Sequence, residues 1–127
     1  MKIFIVTLNF VFSSWAMAGS VIANNDVSLT SAEVKDVFTG EKQSAGNVKL
    51  TLVDNQVAIA DFVSKVLGME SGKYTAMWAK KSFRDGVPLP KTKSSDSEVS
   101  DFVKSTSGAI GYVSGATPSG LKEISKF

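Results

Sequence analysis

Apolar residues in this chain switch between alternate spacing and helical spacing, and a capping residue or a glycine marks most of the switches. Val21-Ile22-Ala23-Asn24 is a short apolar run ending in a turn former, which predicts a buried strand. Thr30-Ser31-Ala32-Glu33 then has the form of a capping box. Val34, Val37 and Phe38 supply a helical stripe, and Gly40 a stop. Val48 to Val53 alternates around Lys49 and Thr51 and predicts a second strand, with Asp54-Asn55 turning the chain and capping the next helix. Ile59, Phe62, Val63, Val66 and Leu67 share one helical face up to Gly68. Ser71 is placed to cap a third helix carrying Tyr74, Met77, Trp78, Lys81 and Phe83. Arg84-Asp85-Gly86 signals a turn, and Pro88-Leu89-Pro90 a loop that excludes helix. A second capping box, Ser95 to Glu98, opens a helix with Val99, Phe102 and Val103 inward and Gly108 at its end. Ala109 to Val113 predicts a third strand, and Leu121 to Ile124 a short fourth. Strands alternating with helices give an α/β fold, with a mainly parallel sheet flanked by helices.

The N-terminus has a different pattern. Lys2 precedes the apolar run Ile3 to Phe12, and Ala16-Met17-Ala18 has the small-x-small form of a signal-peptidase site. The run is shorter than the roughly 20 residues of a membrane-spanning helix. Met1–Ala18 is therefore expected to be a cleavable signal peptide rather than an uncleaved anchor, with residues 19–127 forming one exported, periplasmic domain. The sequence has no cysteine to carry a lipid or form a disulfide, and no histidine. Zinc and copper sites of the usual ligand types, and Ser/His or Cys/His catalytic pairs, therefore cannot be built. The formal net charge is +2 and the signs are interspersed, which argues against a nucleic-acid partner. Asp54, Asp61, Asp96 and Asp101 are scattered over different elements, so a catalytic carboxylate pair is not expected, and the chain reads as a non-enzyme without cofactor or metal.

Binding candidates come from helix starts, where free backbone N–H groups and the positive dipole end attract anions. Asn55-Gln56-Val57 and Ser94-Ser95-Asp96 are two such starts, and plain capping is the simpler reading of each. Arg84, the only arginine, is either an anion clamp or a surface residue paired with Asp85. Trp78 and Tyr112 fit the core more simply than a pocket wall. Lys80-Lys81 reads as a solvated face.

In series, these segments resemble the phosphate-binding members of the type II periplasmic binding-protein superfamily, the substrate-binding proteins of phosphate ABC transporters. The stretches that carry the likeness are Val21 to Asn24, Ser28 to Gly40, Val53 to Gln56, Phe62 to Gly68, Tyr74 with Trp78, Lys91 to Val99, and Gly108 to Val113. The resemblance implies a single lobe of that fold that binds phosphate or another small oxyanion without catalysis. The family's phosphate-binding turn lies at the start of the helix after the second strand, and this chain has Asn55 to Asp61 there. That segment contains no glycine, serine or arginine, which leaves Asn55 and Gln56 as its polar candidates. The candidate ligand-binding residues are thus Asn55, Gln56, Ser94, Ser95 and Arg84. One lobe leaves its ligand half exposed, so tight binding needs a second surface: a homodimer mate, an ABC permease or another envelope protein. The alternative is a lobe without ligand that serves as an interaction or structural module of the cell envelope.

Overall fold

The computed structural model describes residues 18–127, so the expected signal peptide lies outside the described residues except for Ala18. The chain runs β1 (Ser20–Ala23), a 3-10 turn (Ser31–Glu33), α1 (Val34–Phe38), β2 (Ser44–Ala45), β3 (Val48–Lys49) and β4 (Thr51–Asn55). There follow α2 (Ile59–Phe62), which widens into a π-helical turn (Val63–Leu67), α3 (Ser71–Asp85), β5 (Lys91–Lys93), α4 (Asp96–Ser105), β6 (Ala109–Val113) and β7 (Lys122–Lys126). The main sheet has the order β5-β4-β6-β1-β7, and β2 and β3 form a separate hairpin. β4 pairs in parallel with β5 and β6, while β1 lies antiparallel between β6 and β7. Four of the five strands therefore share one direction, and the fold is a mainly parallel α/β sheet flanked by helices.

The period-two pattern sorts the core onto the two sheet faces. On one face Val21, Ala23, Ile110 and Tyr112 meet α1, α2 with its π-turn, and α3. On the other, Ile22, Val53, Ala109 and Val113 meet Val99 and Val103 of α4. The first face holds the aromatic residues. Phe62 stacks on Tyr112 with centroids 3.9 Å apart, and Phe38 meets both rings edge-on. Phe127 closes this cluster edge-on, and its ring lies where a Cβ on Gly19 would stand, with the nearest ring carbon at 2.3 Å. Gly19 and Phe127 also exchange backbone hydrogen bonds of 2.9 and 3.0 Å. Trp78 is core, as its place on an apolar helix face implied, and its indole N–H donates to Phe38 O at 3.0 Å.

Several local expectations change. Asp54 does not turn the chain, whereas Asn55 ends β4 and opens the turn that follows it. Both residues belong to β4, opposite Thr92 and Lys93, because the Lys91–Lys93 segment beyond the proline loop is an edge strand that holds them extended. Val48 to Val53 is not one strand. Leu50 is buried and its N–H bonds to Gln43 O at 3.0 Å, which directs Val48–Lys49 into the hairpin with β2 and starts the sheet strand at Thr51. Arg84 and Asp85 complete α3, and only Gly86, at φ 70°, leaves it. Ser71 is the first helical residue of α3, and Glu70 occupies the cap position without a side-chain cap bond. The capping box expected at Thr30 is present: the Glu33 carboxylate accepts from the Thr30 N–H at 2.8 Å and from the Thr30 hydroxyl at 3.2 Å. The expected fourth strand is present as β7. Gly108 ends the α4 connection at φ 76°, with Lys49 O only 2.1 Å from where a Cβ would stand, so no other residue fits there.

Candidate functional site

The parallel strands β4, β5 and β6 end on the same edge of the sheet, where each releases the chain into a turn or helix start. After β4, the Asn55 side-chain oxygen accepts from the Val57 N–H at 3.0 Å, and the Ala58 N–H donates to Asn55 O at 3.0 Å, so this turn is closed by its own first residue. After β5, Ser94 and Ser95 lead into α4, and after β6 the chain leaves through Ser114. Asp96, the first residue of α4, lies where these three exits meet. Its carboxylate accepts from Asn55 Nδ2 at 2.7 Å, from the Ser114 N–H at 3.0 Å and from the Ser114 hydroxyl at 2.5 Å. Partial burial opposes its ionisation, but the bonds from Ser114 and Asn55 outweigh it and hold the carboxyl below its ordinary pKa. Asn55 is completely buried, and its second amide hydrogen bonds Tyr112 O at 3.0 Å.

The structure thus brings four of the five sequence-predicted ligand residues to one edge, with every partnered donor among them used internally. The Ser95 hydroxyl accepts from the Glu98 N–H at 3.2 Å, a helix cap. The Ser94 N–H and hydroxyl both donate to the Glu98 carboxylate, at 3.3 and 3.1 Å. Gln56 is exposed and tied down by its backbone N–H to Lys93 O at 3.0 Å. Arg84 is not at this edge. It ends α3, the helix that returns the chain to the beginning of β5, and its Nε bonds Asp85 at 3.3 Å.

Sequence reasoning missed the second polar cluster. Asp54 points from β4 into the aromatic face, 5% exposed, and accepts from the Tyr112 hydroxyl at 2.8 Å and from the Tyr74 hydroxyl at 2.9 Å. Burial raises its pKa to about 6 despite both hydroxyl donors. The same burial, with the negative charge of Asp54 alongside, raises both tyrosines far above their ordinary value. The available signal was Asp54 at the inward position of an alternating run. Ser114 gave none beyond following a strand. The enclosed Asp54 reaches no substrate-sized opening, and no group of three acidic residues with metal-site geometry occurs among the described residues. No helix among them is long and apolar enough to cross a membrane.

No protein-family model matches the chain, and no curated protein matches it in sequence. Solved structures do match. A Clostridium perfringens protein described as a phosphate ABC transporter substrate-binding protein, with bound phosphate, superposes with a TM-score of 0.63 at 14% identity, over 84% of this chain and 44% of that one. An ABC-type phosphate transport receptor from Vibrio cholerae gives 0.59 at 15% identity, over 84% and 45%. The mainly parallel sheet flanked by helices is thus the fold of about half of each of these two proteins. The chain spans less than half the length of either match, and at these identities the likeness concerns the fold alone.

Proposed function

We propose that this is a non-catalytic binding lobe of an exported protein, and that the common edge of β4, β5 and β6 receives phosphate or a related oxyanion. The observation that carries this reading is the convergence of an amide, a backbone N–H and a hydroxyl on one carboxylate at the start of α4. Such donors suit any small oxyanion, and Asp96 acts as the internal anion that a ligand has to displace. Asn55 and Ser114 are the donors offered, Gln56, Ser94 and Ser95 flank them, and Arg84 takes part only if a partner brings it close. Displacing a tethered carboxylate weakens binding, so high affinity requires a second surface from another copy of the chain or from a membrane permease. Export places the domain in the periplasm with Gly19 as its first residue, which mass spectrometry of the secreted form would establish.

Calorimetry with phosphate tests the site. The wild-type chain is expected to bind weakly, and Asp96→Asn to bind at least about tenfold tighter, because the charge opposing the ligand is gone. If neither form binds at millimolar phosphate, the oxyanion reading falls. The second reading, an envelope interaction module without ligand, is favoured by the internal use of the Asn55 and Ser94 donors. It predicts a dimer or a recovered envelope partner whose binding survives Asp96→Asn. A monomer by light scattering with no partner recovered would remove it.

A further inference from the structure

We propose that a cleft at the opposite end of the sheet is a second binding site, for a small amphipathic anion such as an aryl or medium-chain alkyl carboxylate. The cleft, of about 330 Å3, lies where β4 and β5 begin, between the end of α1, the β2–β3 side and the loop that follows α3. That volume is at the lower end of the roughly 300–1,000 Å3 range of small-molecule sites. Leu50, Leu52 and Trp78 form its apolar lining, and Leu89, 56% exposed, stands at its mouth. The indole is fixed by its bond to Phe38 O, so Trp78 is held as a wall and does not turn inward to fill the space.

The charged residues that line the cleft have one sign. Lys42, Lys49 and Lys91 line the cleft, and no aspartate or glutamate does. Lys42 is paired with Glu33 at 3.5 Å, and nearby Lys81 with Glu41 at 3.7 Å. Among the described residues Lys49 and Lys91 form no ion pair. An apolar concavity bounded by unpaired ammonium groups selects a ligand with an apolar body and one negative end. A bare phosphate gains nothing from the leucines, and a neutral alcohol gains nothing from the lysines. The cleft is at the starts of β4 and β5, whereas Asp96 is at their ends, so this inference is independent of the oxyanion reading.

The test uses the full chain with Trp15→Phe, which leaves Trp78 as its only tryptophan. Octanoate, 1-octanol and inorganic phosphate are each titrated while Trp78 emission is recorded. Octanoate is expected to give a saturable change, 1-octanol to bind about tenfold more weakly or worse, and phosphate to give no change. Lys49→Glu with Lys91→Glu, both at exposed positions, is expected to weaken octanoate by about tenfold or more with the melting temperature little changed. Asp96→Asn is expected to leave octanoate binding intact. The proposal is overturned by an unsaturable or absent octanoate response, by equal binding of octanoate and octanol, or by indifference to the double lysine reversal. Loss of the response in a folded Asp96→Asn variant would also overturn it.

Discussion

Asp54 and Asp96 are two carboxylates close to the end of β4, and their surroundings push them in opposite directions. Asp54 faces the aromatic layer, where its partners are two phenols and burial dominates, so its pKa rises to about 6. Asp96 sits at the strand-end edge on the side of α4, where backbone and side-chain donors converge and burial is partial, so its pKa falls. Two phenolic hydrogen bonds do not offset the loss of water around Asp54. Three bonds, one from a backbone N–H, do so for the less buried Asp96. The first environment is suited to rigidity, and the second gathers hydrogen-bond donors on one charge.

Removing the ring that supports Tyr112, a partner of Asp54, should have the largest effect. Phe62→Ala deletes the ring stacked on Tyr112 and is expected to destabilise the domain by about 3–5 kcal/mol in urea unfolding. If a folded remnant can be titrated, water reaching Asp54 should return its pKa toward the ordinary value.

The pH dependence of stability comes next. Below its folded pKa of about 6 and above the unfolded value of 3.8, Asp54 holds a proton in the folded chain and has released it in the unfolded one. Its contribution therefore raises stability as pH falls from 7 toward 4, by about 3 kcal/mol in total, and is lost as pH rises through 6. Asp54→Asn should flatten this slope in urea titrations at pH 4.5 and 7. An identical slope in the variant would mean that burial does not govern this group.

Asp96 has the opposite sign. Its folded pKa is depressed, so its contribution is present at neutral pH and is lost as pH falls below the ordinary carboxylate value. Asp96→Asn at pH 7 is expected to lower stability by about 1 kcal/mol while opening the edge to phosphate, so stability and ligand affinity should move in opposite senses. A loss of stability without any gain in phosphate binding would reduce the contrast to a purely structural one. The smallest effect belongs to the cap beside it: Ser95→Ala removes the acceptor for the Glu98 N–H and should cost about 1 kcal/mol or less by thermal melting.

The elements with a strong apolar period were legible in the sequence. The stripe Phe62, Val63 and Leu67 is buried, the Ser95 cap forms, and β1 and β6 lie where their apolar runs predicted. Segments whose structure depends on distant partners were not. Lys91-Thr92-Lys93 has no apolar residue and becomes a strand only because β4 lies beside it. Asp54-Asn55 has the composition of a turn, and stays extended because Tyr74, Tyr112 and Asp96 satisfy its polar groups from elsewhere in the chain. The direction of β1 was equally hidden, since periodicity assigns a face to a residue but no heading to a strand. At the candidate site, Asn55 and Ser95 could be nominated from their helix-start context, but Asp96 could be seen as the converging point only once Ser114 was brought to it.

The position of β1 has a consequence for how the molecule is made. Ser20 lies opposite Val113 on one side and Lys126 on the other, so β1 leaves a ribosome well before either of its neighbours has been made. Acquisition of the native sheet is thereby deferred until β6 and β7 are available, and refolding should be slow because the central pairings join distant parts of the sequence.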